Sequence, residues 1–308
     1  MGVGIVVDSV CDLPRAIIDR FGIEILPVAL HFGDNVFEDM RDPEAAQAFY
    51  RDYLSERNID FRTRALDVET MTQLFLDRFV LKYSKVLVIA CASSRSRLFK
   101  NATQASYALL KLQRHRRQAA GLPGSFALRI VDSKSLYAGE AIVAHEAVRM
   151  ADDESQGLEH MRQSLEELGD KVVTYLVPDD PFYLRFRARE KGERSIGAVG
   201  YQVARMFDLK PVVRFTQGRS GVVSRPQGFE SALGFVFDAA RDAISYGLAK
   251  PLIAMSYAGD PARMRERDTY KSFAAFAESQ GVELTLAVMS VTSGINVGPG
   301  AFSLAFAK

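Results

Sequence analysis

The chain has 308 residues, of which 48% are hydrophobic and 25% are charged, so it is long enough for two domains that each bury a core. A net charge of +1 gives no general attraction to nucleic acid or to an anionic membrane. No apolar segment approaches the roughly 18 residues that span a bilayer, and no secretory signal precedes the first strand. Cys11 and Cys91 fit a reducing compartment and indicate neither a disulfide framework nor a zinc site. We expect a cytoplasmic protein without a membrane span, a metal or a cofactor.

In the first half of the chain, short apolar runs alternate with helical patterns, which is typical of a parallel α/β sheet. The predicted strands are 4–9, 23–32, 85–90 and 127–133, and the predicted helices are 13–20, 43–57, 68–81, 98–112 and 136–150. Asp12 is expected to cap the first helix, and Pro27 indicates an edge strand or a bulge. The endings 7–9 and 131–133 both read Val-Asp-Ser, whose side chains can tie a tight turn.

The second half of the chain predicts an α+β domain with a mixed sheet. The charged stretch 151–157 is the expected boundary between an N-terminal domain, residues 1–155, and a C-terminal domain, residues 156–308. Strands are predicted at 171–177, 211–215, 221–224, 251–257 and 282–290, and helices at 159–168, 185–194, 196–207, 229–246 and 261–280. The basic helix 185–194 and the basic run 113–117 are both expected to face solvent. The fold class is therefore α/β, with a three-layer N-terminal domain around a mainly parallel sheet.

Three serines, Ser93, Ser94 and Ser96, lie where the predicted central strand 85–90 leads into a helix. In an open α/β sheet this is the carboxyl edge, where ligands usually bind, and helix amides and hydroxyls there can hold an anion. The alternative is that one of the serines only caps the helix. The sequence leaves both interpretations open.

Near the end of the chain, the segment 294–300 contains three glycines, which allow a close backbone approach to a ligand or to the neighbouring domain. Thr63, Ser96 and Asn296 are neutral hydrogen-bonding residues that suit an anionic headgroup held without a metal. Signatures of nucleotide hydrolysis, zinc peptidases, serine hydrolases and dinucleotide binding are missing from the sequence. His31 lies in an apolar run without a partner at metal-ligand spacing, so we expect a histidine in or beside the core.

Six segments in order resemble the DegV family of two-domain bacterial proteins, which bind a long-chain fatty acid. They are 6–14 (Val-Val-Asp-Ser-Val-Cys-Asp-Leu-Pro), 32–39, 91–102, 131–135, 209–211 with the following hairpin, and 298–301. The resemblance covers essentially the whole chain. It implies a non-enzymatic protein that buries an acyl chain in its N-terminal domain and presents the carboxylate, near the domain interface, to a separate fatty acid kinase.

The resemblance also implies headgroup residues. Thr63 and Ser96 match the threonine and serine of the family, whereas Asn296 stands in the place of a histidine. Arg64, Arg95 and Arg97 replace a serine, a leucine and a glycine, and Arg194 is an inexact counterpart of a family arginine. The expected ligand-binding residues are therefore Thr63, Arg64, Ser94, Arg95, Ser96, Arg97, Arg194, Asn296 and Gly298.

The extra arginines allow two interpretations. They can replace the charge of the missing histidine, in which case the ligand is an anionic lipid with a larger headgroup, or they can point to solvent. Two other functions stay open: an interaction protein with a vestigial pocket, and a serine-dependent hydrolase or acyltransferase with Ser96 as the nucleophile.

Overall fold

The computed structural model describes residues 2–54, 61–153, 156–190 and 206–308. Within these ranges there are thirteen strands: β1 (Val3–Asp8), β2 (Glu24–Leu26), β3 (Ala29–Phe32), β4 (Asn35–Glu38), β5 (Arg62–Arg64), β6 (Lys85–Ala90), β7 (Ala127–Asp132), β8 (Val172–Val177), β9 (Val212–Thr216), β10 (Arg219–Ser224), β11 (Leu252–Tyr257), β12 (Glu283–Val288) and β13 (Phe302–Ala307). They form sheets of four, six and three strands.

The same ranges contain eleven α-helices. They are α1 (Arg15–Phe21), α2 (Pro43–Phe49), α3 (Val68–Leu74), α4 (Leu98–Ala119), α5 (Ala138–Ala151), α6 (Leu158–Lys171), α7 (Phe182–Glu190), α8 (Phe229–Tyr246), α9 (Pro261–Arg265), α10 (Asp268–Ser279) and α11 (Val291–Val297). Helices α2 and α3 each continue into a π-helical turn, Tyr50–Leu54 and Phe75–Phe79. Among the described helices, none combines the length and the apolar composition needed to cross a bilayer.

The four-strand sheet has the order β2-β1-β6-β7 and is parallel throughout. Alternate residues of β1 and β6 point to opposite faces: Val6 and Val88 pack under α3 and α4, whereas Val7 and Ile89 pack against α1, α5 and α6. Both faces are covered, which is why these strands are continuous apolar runs. The predicted three-layer N-terminal half is confirmed.

The six-strand sheet has the order β10-β9-β8-β13-β11-β12 and is mixed, because only β11 and β12 run parallel. One face packs on α8 and α10. The other face packs on α5, which also contacts β1 and β6, so this helix lies between the two sheets. Its run of small apolar residues fits a helix buried on most sides. The predicted α+β half with a mixed sheet is confirmed, and the division at residue 155 stays a prediction.

Several local predictions are wrong. The expected strand 23–32 is two strands, because the chain leaves the parallel sheet at Pro27 and enters the three-strand sheet β4-β3-β5. The expected helix 261–280 is divided into α9 and α10. Asp12 does not cap α1, since the capping position is Pro14 and no side chain bonds the helix amides.

The basic run 113–117 is also not wholly solvated. Arg117 is only 3% exposed, and its guanidinium donates to the carbonyls of Val80, Tyr83, Pro123 and Gly124. These bonds attach the end of α4 to the loops that precede β6 and β7. The predicted helix 196–207 lies almost wholly outside the described residues, and Arg194 lies outside them as well.

Candidate ligand site at the carboxyl edge of the parallel sheet

Two aspartates shape the carboxyl edge of the four-strand sheet. Asp8 at the end of β1 accepts hydrogen bonds from the amides of Val10 and Cys91, both at 2.7 Å. Asp132 at the end of β7 accepts from the amides of Lys134 at 2.9 Å and Ser93 at 3.2 Å. The predicted turn-forming role of both Val-Asp-Ser endings is confirmed, and the same carboxylates fix the loop 91–96 in place.

Within this loop, Ser96 bonds the start of α4. Its hydroxyl oxygen accepts from the Leu98 amide at 3.1 Å. The capping position of α4 is Arg97, and no side chain makes a cap bond there, so the capping interpretation for a serine is not confirmed. The hydroxyl also lies within hydrogen-bonding reach of the Cys91 thiol. Because Ser96 accepts from the amide, its own hydrogen is directed either to the Cys91 sulfur or to a ligand. The ligand role of Ser96 stays a prediction.

The rest of the loop docks on the β9–β10 hairpin. The Ser94 hydroxyl donates to the Gly218 carbonyl at 2.6 Å, and Arg95 donates to the Ser220 hydroxyl. The Arg95 guanidinium also lies 5.6 Å from the centre of the Phe215 ring. Ser94 and Arg95 therefore connect the first half of the chain to the second. Arg64 and Arg97 are exposed, which fits the solvent-facing interpretation for these two arginines.

Thr63 and Asn296 lie on neighbouring elements. Thr63 is in β5, opposite Leu30 of β3, and is partly buried. Asn296 is in α11, which packs against β5, and its side-chain amide donates to the Thr292 carbonyl at 2.7 Å. The sequence predicts neither β5 nor α11. Ser290 caps α11 by accepting from the Ser293 amide at 3.0 Å. A serine at this position was the sequence feature that could have predicted the start of α11.

Arg187 on α7 joins β5 and α11. Its guanidinium donates to the Ile295 carbonyl of α11 at 3.2 Å and to the Phe61 carbonyl just before β5. The side chain is 7% exposed, so the expectation that this basic helix faces solvent is wrong for Arg187. Tyr183 lies four residues earlier and is also buried, which is the helical spacing that could have placed Arg187 on an inner face.

A buried ionic network holds α11 from its other end. Arg41 pairs with Asp12 at 3.2 Å and donates to the Val288 carbonyl at 3.1 Å. Asp12 accepts from the Ser290 amide at 3.0 Å. Burial raises the pKa of Asp12 to about 6, although the Arg41 charge acts in the opposite direction. Arg41 has a φ of 61°, an unfavourable left-handed conformation that these bonds must hold.

The glycines of 294–300 permit close contacts with aromatic side chains. A Cβ atom on Gly294 would lie 2.2 Å from the Tyr50 ring, and one on Gly298, whose φ is +89°, would lie 2.4 Å from the Tyr183 ring. Tyr50 belongs to the first half of the chain, so the close approach to the neighbouring half is observed. Whether Gly298 also contacts a ligand stays a prediction.

Aromatic residues cover the region between β3, β5 and α11. Phe32 stacks on Phe61, with ring centres 4.3 Å apart, and Phe49 meets Phe61 edge to face at 4.7 Å. Tyr50 is buried beside them and reaches the Met289 carbonyl with its hydroxyl at 2.7 Å. The partly polar site at Thr63 and Asn296 thus adjoins an apolar cluster.

A model of the DegV family matches residues 2–308. The chain belongs to the DegV family. A DegV domain-containing protein of Xanthomonas campestris is 39% identical over 307 residues, which are 100% of this chain and 98% of that protein. A relative from Xanthomonas axonopodis is 38% identical, with the same coverage of both proteins.

Solved structures show the same fold. A stearic acid-binding protein from Eubacterium ventriosum superposes with a TM-score of 0.77 at 19% identity, covering 99% of this chain and 98% of that chain. DegV of Bacillus subtilis, described as a fatty acid binding protein, gives 0.77 at 17% identity, covering 100% of both chains. The two-domain architecture inferred from sequence is the DegV architecture.

Proposed function

We propose that this protein binds a long-chain fatty acid or a related anionic lipid and acts as a carrier. The observation that carries the proposal is the whole-chain membership in the DegV family, because solved proteins of this fold bind fatty acids. The site geometry agrees with it, since neutral hydrogen-bonding side chains adjoin an apolar cluster.

The acyl chain is proposed to lie between the four-strand sheet and the helices α3 and α4. This layer contains Ala102 and Ala105 on the inner face of α4, opposite Met71 of α3. Alanine is the smallest side chain with a Cβ atom, so an acyl chain would meet little bulk on this helix face, and methionine adapts its shape to its neighbours. The π-helical turn Phe75–Phe79 borders the same layer, and such turns are frequent at functional sites.

The headgroup is proposed to contact Thr63, Ser96 and Asn296. The Asn296 amide has two hydrogens, of which one is bonded to Thr292, so one can serve a carboxylate. Arg64 follows Thr63 in β5, and successive strand residues point to opposite faces, so the two do not share a face. Because Arg95 is bonded to the hairpin, a small carboxylate headgroup is favoured over a larger one.

The finer part of the proposal is that the bound fatty acid is presented to a fatty acid kinase, which phosphorylates the carboxylate with ATP. Catalysis by this chain itself has less support, because Ser96 bonds the Leu98 amide and the Cys91 thiol. Burial raises the pKa of that thiol well above its usual range, so it stays protonated and cannot act as a general base.

The test is to remove bound lipid, add stearic acid and measure its affinity. Thr63→Val keeps the side-chain shape and removes the hydroxyl, and should weaken binding about tenfold, the loss expected for one hydrogen bond of about 1.4 kcal/mol. Thr103→Val on α4 is the matched control, since its hydroxyl bonds the helix carbonyl of Phe99, and this variant should bind normally. Ala102→Leu should weaken binding by filling the layer, whereas Ala108→Leu on the exposed face should not.

A protein that takes up no fatty acid in any preparation would refute the carrier function and favour the vestigial pocket. The kinase step is tested separately by adding a fatty acid kinase and ATP to the loaded protein. Formation of acyl phosphate would support presentation of the fatty acid to the kinase. If the loaded protein gives no acyl phosphate, the kinase step is refuted but the lipid-binding function is not.

A further inference from the structure

Three buried side chains converge behind the loop 91–96. Asp8 ends β1, Cys91 follows β6 and Glu140 lies in the first turn of α5. One ligand atom from each lies within 4.8 Å of the other two. Asp8 and Glu140 are 0% exposed and Cys91 is 2% exposed, so these groups face one another away from solvent.

Glu140 lacks a compensating partner in the described part of the chain. Neither of its carboxylate oxygens has a hydrogen-bond donor there. A buried carboxylate without a donor or a counter-charge is highly unfavourable. The nearby buried cation, Arg41, is bonded to Asp12 and to the carbonyls of Leu13 and Val288. Glu140 must therefore hold a proton or share a cation with its neighbours.

We propose that Asp8, Cys91 and Glu140 bind a divalent transition-metal ion of the zinc class. A thiolate with two carboxylates excludes magnesium and calcium as preferred occupants, since those ions select oxygen ligands alone. Three protein ligands leave a fourth tetrahedral position for water. The ligand set comes from three separate elements, β1, β6 and α5, so a bound ion would join them.

The surroundings of the cluster support this assignment. The amides of Val10 and Cys91 orient the Asp8 carboxylate, and the Ser96 hydroxyl reaches the Cys91 sulfur. Charge is conserved as well: one divalent ion replaces two protons, one on the Cys91 thiol and one on the Glu140 carboxyl. The net charge of the cluster is therefore the same with the metal as with two protons, and no further counter-ion is needed.

The competing explanation is a neutral Glu140, because burial and the neighbouring carboxylates raise its pKa well above the usual range. The two explanations differ in whether the refolded protein retains a metal ion. The full-length protein should be unfolded under reducing conditions and refolded with Zn²⁺ or Co²⁺, followed by removal of free metal and elemental analysis. We expect about one ion per chain, and with Co²⁺ a sulfur-to-cobalt charge-transfer band.

Cys91→Ser should lower the bound metal at least tenfold and abolish the band. Cys11→Ser is the matched control, since Cys11 is the second buried cysteine and lies outside the three-residue cluster, and it should keep both. Glu140→Gln should also lose the metal. If this variant does not fold, the comparison of Cys91→Ser with Cys11→Ser still tests the metal site. Wild-type protein that refolds without metal, or a band that persists in Cys91→Ser, would overturn the proposal and leave Glu140 as a buried neutral acid.

Discussion

Replacing Arg187 by methionine removes the group that joins β5 to α11 while keeping an apolar stem of similar length. The guanidinium donates to the carbonyls of Ile295 and Phe61, and the side chain is 7% exposed. Each hydrogen bond from a charged donor contributes about 1.5–3 kcal/mol. Release of a buried cation from its desolvation offsets part of that loss. We expect the free energy of unfolding to fall by about 2–4 kcal/mol.

The Arg187→Met substitution should also lower the affinity for the ligand, because Thr63 and Asn296 lie on the two elements that Arg187 joins. If β5 and α11 separate in most molecules, the apparent affinity falls by the fraction that remains competent. We expect stearic acid to bind at least about tenfold more weakly, which corresponds to about 1.4 kcal/mol. Urea denaturation measures the stability, and titration calorimetry of the lipid-free protein measures the affinity.

Arg117→Met is the matched control. Arg117 is also buried and bonds four carbonyls, but it lies 19 residues along α4 from Leu98, roughly 28 Å from the loop of Ser96. It should lose as much stability and bind fatty acid normally. Equal affinities of Arg187→Met and the wild type, or equal losses of affinity in both variants, would refute the reasoning.

Three further changes have defined outcomes. Gly294→Ala should lower the free energy of unfolding by about 2–4 kcal/mol because its Cβ would overlap the Tyr50 ring. Gly234→Ala, whose Cβ would meet no described atom within 4 Å, should raise it by about 0.5–1 kcal/mol. Similar urea midpoints for the two would be inconsistent with this packing. Arg95→Gln should speed hydrogen exchange of the β9–β10 hairpin with less than about 1 kcal/mol of global change, and unchanged exchange would contradict the docking. Burial raises the pKa of Asp12 to about 6 in the folded protein, so the folded state binds the proton more tightly than the unfolded state. The stabilisation that this proton gives is present at about pH 4 and is lost as the pH rises through about 6. The wild type should therefore lose about 2–3 kcal/mol relative to Asp12→Asn between pH 4 and pH 7, and parallel pH profiles would exclude this shift.

Most strands of the two larger sheets were predictable because their signal is local. Strands β1 and β6 are buried on both faces, and a strand buried on both faces must be an apolar run. Helix α4 has one inner face, marked by alanine and leucine at helical spacing. Pro27 indicated an edge strand or a bulge, and β2, which ends at Leu26, is indeed the edge of the four-strand sheet. That the chain then enters the sheet β4-β3-β5 was not predicted, because this depends on distant strands, which the sequence alone does not position.

The polar part of the site was predictable only where a motif existed. The resemblance predicts Thr63, Ser96 and Asn296 as headgroup residues, and that assignment stays a prediction. Arg187 was mistaken for a solvated residue because its carbonyl acceptors are distant in sequence. Asp12 illustrates the same limit, since the Ser290 amide it binds is 278 residues away. The sequence around a single charged residue does not indicate so distant a partner. For the same reason, the sequence did not predict that Asp8, Cys91 and Glu140 lie together.

The most direct test of the carrier function is the identity of the lipid that copurifies with the protein. The protein should be purified without detergent, denatured and extracted with organic solvent, and the extract identified by mass spectrometry and quantified against protein. We predict a long-chain fatty acid at about one molecule per chain, with less in Thr63→Val than in Thr103→Val. An extract without any acyl lipid, from protein that also fails to bind added stearic acid, would contradict the account.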